Sequence, residues 1–253
     1  MLGELQMRIP RGYHPGELRL GEEIVLGELI ANHLTRVLRL KRGDIVHVFN
    51  GDGREYRALL ESIERRRTSV RIEAELAPIR ESPLALTLAQ GICRGEKMDL
   101  VLQKATELGV HALQPLISER TEVRLDAERE ARRMAHWRQV VASACEQSGR
   151  ALLPALESPQ PLPAWLGSLG PPDDPHASLR LMLDPEGEVG LRDLPAPRSA
   201  LLAVGPEGGF SDNERVLLQR IGFRTLRLGP RVLRTETAGL AAIAVLQSYW
   251  GDL

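Results

Sequence analysis

Three apolar runs in the last third of the chain, residues 179–183, 200–204 and 223–228, each end in a loop of glycine, proline and charged residues. Strands that alternate with helices read as a parallel sheet covered on both sides. The loops are Asp184-Pro185-Glu186-Gly187, then Gly205-Pro206-Glu207-Gly208-Gly209-Phe210, then Gly229-Pro230-Arg231-Val232-Leu233-Arg234-Thr235-Glu236-Thr237. Ligands of parallel sheets bind beyond the carboxyl ends of strands, so the three loops can build one site. Ser211 and Glu214 have capping-box spacing for a helix after the second loop, and Thr235 is placed to cap the final helix.

The same alternation extends back to Pro83. Residues 84–90 predict a strand. Met98, Val101, Leu102, Ala105 and Leu108 make one helical stripe closed by Gly109, and residues 110–116 predict the next strand of a βαβ unit. Asp126 opens a long amphipathic helix that turns Met134, Trp137, Val141, Ala144 and Cys145 inward until Gly149. Residues 154–178 hold seven prolines and read as a surface connector.

Ahead of Pro78 the pattern is different. Residues 18–20, 44–49, 54–60 and 69–76 predict short strands, and Asn50-Gly51-Asp52-Gly53 supplies hairpin turn chemistry after the alternating Ile45 to Phe49 segment. One helix over residues 27–38 presents Leu29, Ile30, His33, Leu34 and Val37 on one face. The expectation is a small β-barrel over 1–77 and an α/β domain over 78–253, with Pro78 and Pro83 flanking the linker and the first six residues an unstructured extension.

Composition narrows the functional classes. With 253 residues, 43% hydrophobic and 26% charged, the chain is an ordinary globular one. The longest apolar stretch, 238–246, has nine residues, against roughly 20 for a bilayer span. With no signal pattern either, the expectation is a cytoplasmic protein without a membrane partner. Cys93 and Cys145 lie 52 positions apart, fit neither a disulfide framework nor a zinc motif, and are expected to be buried. Net charge is −1, yet lysines occur only at Lys41, Lys97 and Lys104 among 33 basic residues. Arginine is the better phosphate fork, although genome composition produces the same bias. Residues 1–80 carry 14 basic and 12 acidic side chains, so the N-terminal third leans slightly basic.

Several chemistries lack their residues. The glycines fit neither G-x-G-x-x-G nor a P-loop, which removes the best support for NAD or ATP. His14, His33, His47, His111, His136 and His176 form no HxxxH or HExxH pair, and no G-x-S-x-G elbow occurs, so neither a metal nor a triad is expected. The Arg65-Arg66-Arg67 run is either a solvated turn or an RNA contact.

Five segments together narrow the reading further. They are Met7-Arg8-Ile9-Pro10-Arg11, His33-Leu34-Thr35-Arg36-Val37-Leu38-Arg39, Ala144-Cys145-Glu146-Gln147-Ser148, the loop 205–210 and the segment 228–238. The chain resembles the bacterial 16S ribosomal RNA uridine-N3 methyltransferases of the SPOUT superfamily over nearly its whole length. The resemblance implies an N-terminal PUA-like RNA-binding barrel and a SPOUT-type α/β domain whose end, about 179–253, is threaded into a trefoil knot. It also implies S-adenosylmethionine as cofactor, 16S rRNA or the small ribosomal subunit as substrate, a homodimer with its active site between subunits, and no metal. Carried onto this sequence, Leu183, Gly205, Glu207, Gly208, Gly209, Leu228, Gly229, Val232, Leu233 and Thr235 would line the cofactor pocket, mostly through backbone groups.

Methyl transfer from a sulfonium chiefly needs alignment, whereas uridine N3 carries a proton that must be removed before it attacks. Arg234 is the candidate donor to the neighbouring carbonyl oxygen. Glu207 and Glu236 are candidate proton acceptors, and each is equally suited to bracing a loop. Arg8, Arg11, Arg36 and Arg39 are the candidate RNA contacts of the barrel, with ion pairing to Glu28 or other acids as the competing role. Glu146, Gln147 and Arg150 are candidates for holding an extruded base or for a dimer contact.

Overall fold

The computed structural model describes residues 9–64, 67–78, 80–123, 126–170, 177–187, 190 and 196–253. Arg8, Arg65, Arg66 and His176 therefore lie outside the described residues. The chain divides into two compact units, Met1–Arg80 with Cys145–Leu153, and Glu81–Ala144 with Pro154–Leu253.

The first unit is a curled five-stranded sheet of β1 (Arg11–Tyr13), β2 (Glu23–Val25), β3 (Ile45–Phe49), β4 (Glu55–Ile63) and β5 (Thr68–Glu75). Its order is β1-β3-β4-β5-β2, with β1 parallel to β3 and every other pairing antiparallel. The β3–β4 hairpin turns through Gly51 and Gly53, at φ of 89° and 94°, a region glycine enters without steric cost. Val46, Val48, Leu60, Val70 and Ile72 make the core with Leu34. Residues 18–20 are not a strand: Leu18 drops into this core while Leu20 is exposed, and the edge strand forms instead at Glu23–Val25.

The helical segment also departs from the expected pattern. α1 (Glu28–Asn32) passes directly into a π-helical turn over His33–Val37. The wider turn breaks the 3.6-residue spacing, so Ile30 and Leu34 face the core while Leu29, His33 and Val37 are exposed. The helix ends before Arg39, which sits at φ 56°, so Arg36 and Arg39 do not share a helical face.

The second unit is a parallel sheet with the main order β12-β10-β11-β6-β7-β8. Its strands are β6 (Ala85–Gly91), β7 (Ala112–Ile117), β8 (Ala155–Leu156), β9 (Gln160–Pro161), β10 (Ser178–Leu183), β11 (Ser199–Val204) and β12 (Arg224–Leu226), with β9 pairing β7. The helices are α2 (Lys97–Glu107), α3 (Ala127–Ser148), α4 (Leu162–Ser168), α5 (Asp212–Arg220) and α6 (Thr235–Trp250). Met134, Trp137 and Val141 of α3 are buried as their stripe predicts. The proline-rich connector is more ordered than expected: it contains β8, β9 and α4, whose Leu162, Trp165 and Leu166 are buried. Pro163 lies in the first turn of α4, where its missing N–H has no helical partner to lose.

Two anchors fix the site's supports. Ser211 and Glu214 form the expected capping box at α5, and the Glu214 carboxylate also accepts the Glu119 amide at 2.8 Å. Gln247 of α6, fully buried, donates to the Leu108 and Gly109 carbonyls at 3.0 Å and so holds the C-terminal end of α2.

Candidate functional site

Adjacent strands β12, β10 and β11 end side by side, and the loops leaving them enclose a cavity of about 510 Å³. That volume lies in the range of small-molecule sites. The first wall is the turn after β10. Asp184 donates its amide to the Leu226 carbonyl, and its carboxylate accepts the Glu186 amide and pairs with Arg215 at 3.3 Å.

The second wall is the loop after β11. The Gly209 amide closes a turn on the Pro206 carbonyl, with Gly209 at φ 68°. A Cβ on Gly205 would lie 2.8 Å from the Gly209 carbonyl carbon and the Phe210 nitrogen, so only glycine fits this doubled-back loop. Gly91, at the end of β6, is equally constrained: its Cβ would meet the Pro206 nitrogen at 2.5 Å.

The third wall runs from Leu228 into α6. Gly229 turns the chain at φ 97° and Arg234 is the N-cap. Thr235 does not cap the helix as expected, because its hydroxyl is engaged elsewhere: it donates to the Gly205 carbonyl at 2.5 Å and accepts from Gln90 Nε2 at 2.9 Å. The Gln90 amide nitrogen also reaches the Gly91 and Gly205 carbonyls. One buried side chain thus joins the ends of β6, β11 and the start of α6.

The cavity is lined by Leu183, Gly205, Glu207, Gly208, Gly209, Leu228, Gly229, Val232, Leu233 and Thr235, the residues expected at the cofactor, together with Arg234 and Glu236. The cavity suits S-adenosylmethionine by its chemistry. Backbone edges of the loops and apolar Leu183, Leu226 and Leu228 can hold an adenosyl group, while Asp184 and Arg215 offer polar partners. Val232, in the cavity lining, is 80% exposed.

The three candidate catalytic groups, Arg234, Glu207 and Glu236, all line this cavity. Arg234 is exposed, and among the described residues no carboxylate pairs with it. Glu207 accepts the Arg94 amide at 3.1 Å and the Lys97 ammonium at 3.2 Å. Burial pushes its carboxyl up, but hydrogen bonds from its own and the Arg94 amide and from Lys97 outweigh this, leaving it below the ordinary glutamate value. Glu236 is 9% exposed, and its Oε2 is buried with no hydrogen-bond partner. Lys97 Nζ stands 3.8 Å from that oxygen. Lys97, Arg215 and Gln90 escaped the sequence reading because none belongs to a glycine-rich loop or a spaced motif, and Asp184 was named only as part of the first loop; the rarity of lysine was the available signal.

In the first unit the arginines separate into two kinds. Arg11 is enclosed: it pairs with Glu55 at 2.5 Å, donates to the Cys145, Glu146 and Arg150 carbonyls, and lies over the Phe49 ring. Its expected RNA role is corrected to an internal brace, as its side chain is 7% exposed. Arg150 is likewise buried, and Glu146 accepts the Tyr13 amide, with burial pushing its carboxyl up. Arg36, Arg39 and Gln147 are exposed, and neither arginine forms an ion pair with Glu28 or another acid among the described residues.

Similarity to known proteins agrees with this geometry. Residues 80–247 match the family described as an RNA methyltransferase domain, and residues 30–73 match the RNA methyltransferase PUA domain. Ribosomal RNA small subunit methyltransferase E of Buchnera aphidicola is 32% identical over 98% of this chain and 100% of its own length. The Bacillus subtilis protein of the same description is 30% identical over 90% of each chain. Among solved structures, a Legionella pneumophila methyltransferase in complex with S-adenosylmethionine superposes with a TM-score of 0.90 at 42% identity, covering 97% of this chain and 100% of that one. Ribosomal RNA small subunit methyltransferase E from Neisseria gonorrhoeae, bound to S-adenosylmethionine, gives 0.87 at 38% identity over the same shares.

Proposed function

Since this chain belongs to the RNA methyltransferase family, with that family's PUA domain ahead of it, we propose that it transfers a methyl group from S-adenosylmethionine to N3 of a uridine in small-subunit ribosomal RNA. The observation that carries the reading is the cavity at the ends of β10, β11 and β12, which puts Arg234 and Glu236 beside a pocket of cofactor size. The full-length relatives named for small-subunit rRNA methylation support the substrate. The cofactor, when bound, supplies an electrophilic methyl on sulfur, whose bonding pair returns to sulfur as the methyl leaves.

The chain's own residues do the remainder. Amides and carbonyls of residues 205–209 and 228–235 would hold the cofactor rigidly, which lowers the entropic part of the barrier. Arg234 would donate to a uridine carbonyl oxygen where negative charge grows as N3 loses its proton. Glu236 is the proposed acceptor of that proton, because its Oε2 is free of hydrogen bonds, whereas Glu207 is occupied by Arg94 and Lys97. Glu207 therefore takes the bracing role. Exposed Arg36 and Arg39 would contact phosphates, fixing register without reading sequence. N3 lies on the Watson–Crick edge, so the uridine must be unpaired or extruded to enter the cavity.

Mapping modified nucleosides by mass spectrometry in small-subunit rRNA from cells lacking the gene tests the reading. Loss of one N3-methyluridine, restored by the wild-type gene, is expected; an unchanged N3-methyluridine content would overturn the assignment.

A further inference from the structure

Lys97 opens α2 and its ammonium reaches two carboxylates that enter the cavity from different loops. Glu207 Oε1, on the loop after β11, lies at 3.2 Å, and Glu236 Oε2, in the first turn of α6, lies at 3.8 Å. Nothing else within 4 Å of a Glu236 oxygen among the described residues is cationic. Glu236 is nine-tenths buried, and the oxygen facing Lys97 has no hydrogen bond. A carboxylate in that state is expensive to keep charged unless a cation stands by it. The chain uses arginine for almost every other cation, with lysine at only two further positions, Lys41 and Lys104. An ammonium differs from a guanidinium as a compact point charge, able to serve two carboxylates without imposing a planar fork on either.

We infer that Lys97 is a positioning residue for methyl transfer, its ammonium facing the Glu236 carboxylate and orienting it, while its bond to Glu207 fixes the ammonium itself. The inference rests on the reading of Glu236 as proton acceptor. In the step concerned, the uridine N3–H bond breaks, its electron pair remains on N3, and the proton passes to Glu236. An acceptor that already carries a proton cannot take part, so the rate falls on the acid side. The charged and titratable groups near it are Lys97 of α2 and Cys93 after β6, with Glu207 after β11 on the same ammonium and Arg231 and Arg234 lining the same cavity. Removing Lys97 takes away the cation 3.8 Å from Glu236 Oε2 and leaves Glu207 as a nearby like charge.

The experiment measures single-turnover methyl transfer to undermethylated small subunits against pH, at saturating S-adenosylmethionine, for the wild-type protein, Lys97→Gln, Lys97→Ala, Lys97→Arg and Glu236→Gln. Calorimetric titration with S-adenosylmethionine and thermal melting accompany each variant. Both neutral Lys97 variants are expected to displace the acid limb of the rate upward and to recover much of the rate at high pH. Lys97→Arg should keep the limb near its wild-type position. Cofactor affinity should change by less than about fivefold, because the half-open Lys97–Glu207 pair contributes little. A wild-type pH profile in Lys97→Gln and Lys97→Ala, with Glu236→Gln inactive, would overturn the role of Lys97 and leave Glu236 as acceptor. Wild-type turnover in Glu236→Gln would remove the acceptor and the inference with it. Loss of turnover at every pH in folded, cofactor-binding neutral variants would also overturn a positioning role.

Discussion

The Thr235 hydroxyl donates to the Gly205 carbonyl across 2.5 Å, so the first turn of α6 is bonded to the loop that leaves β11. Gln90 reinforces the joint from β6 by donating to both partners. Thr235→Val keeps the side-chain shape and removes this donor. Its expected cost is about 1–2 kcal/mol of stability, with cofactor affinity lowered roughly tenfold. Thermal melting and calorimetric titration with S-adenosylmethionine read the two effects separately.

Two glycines of the same loop should behave differently. Gly205→Ala drives a methyl into the backbone of Gly209 and Phe210, which cannot move without opening the loop. An overpacking cost of about 1–3 kcal/mol and loss of measurable cofactor binding are expected. At Gly208 the nearest atom is the Arg120 Cβ at 3.1 Å, a tight contact that a shift of a few tenths of an ångström relieves, so Gly208→Ala should bind far better than Gly205→Ala. Titrating both variants compares them directly.

Arginines of the first unit should divide by burial. Arg11→Met leaves buried Glu55 with only His47, at 3.6 Å, beside it, a loss of the buried ion pair expected to cost about 3 kcal/mol, visible in denaturant unfolding. Changing Arg36 and Arg39 together to alanine should leave stability almost unchanged. It should weaken RNA binding and reduce the slope of log affinity against log salt by about 1–2, because fewer counterions are released. An unchanged slope would remove these two residues from the RNA surface.

Cys93 and Cys145 should resist modification. Burial, joined by the nearby Glu207 carboxylate, pushes the Cys93 thiol up to about 12, and the thiolate is the reactive form. An aromatic disulfide reagent at pH 8 should leave both buried thiols untouched in the folded protein and titrate both in guanidinium. Because the folded value of Cys93 is the raised one, the stability it contributes is complete below the ordinary thiol range. That contribution is lost as pH rises toward 12.

How far the sequence disclosed the site follows from where the information lies. Loop residues such as Gly205, Gly209 and Gly229 were legible because tight turns and close backbone approach demand glycine, and the apolar runs before them marked the strand ends. Lys97 and Gln90 were not: each acts through a partner more than a hundred positions away, and only the sheet order that sets β6 beside β11 brings them to the cavity. Arg11 failed for the same reason, since the carbonyls that enclose it come from residues 145, 146 and 150. The π-turn at His33–Val37 overrode a helical face, and α4 hid behind prolines that are compatible with a helix's first turn.

The measurement closest to the central claim is transfer of a labelled methyl group from S-adenosylmethionine to undermethylated small subunits by the purified protein, followed by identification of the labelled nucleoside. The account predicts a single N3-methyluridine, with turnover lowered roughly a hundredfold or more in Arg234→Ala while cofactor binding persists. Label on a ribose hydroxyl or another base, or an Arg234→Ala protein as fast as the wild type, would contradict it.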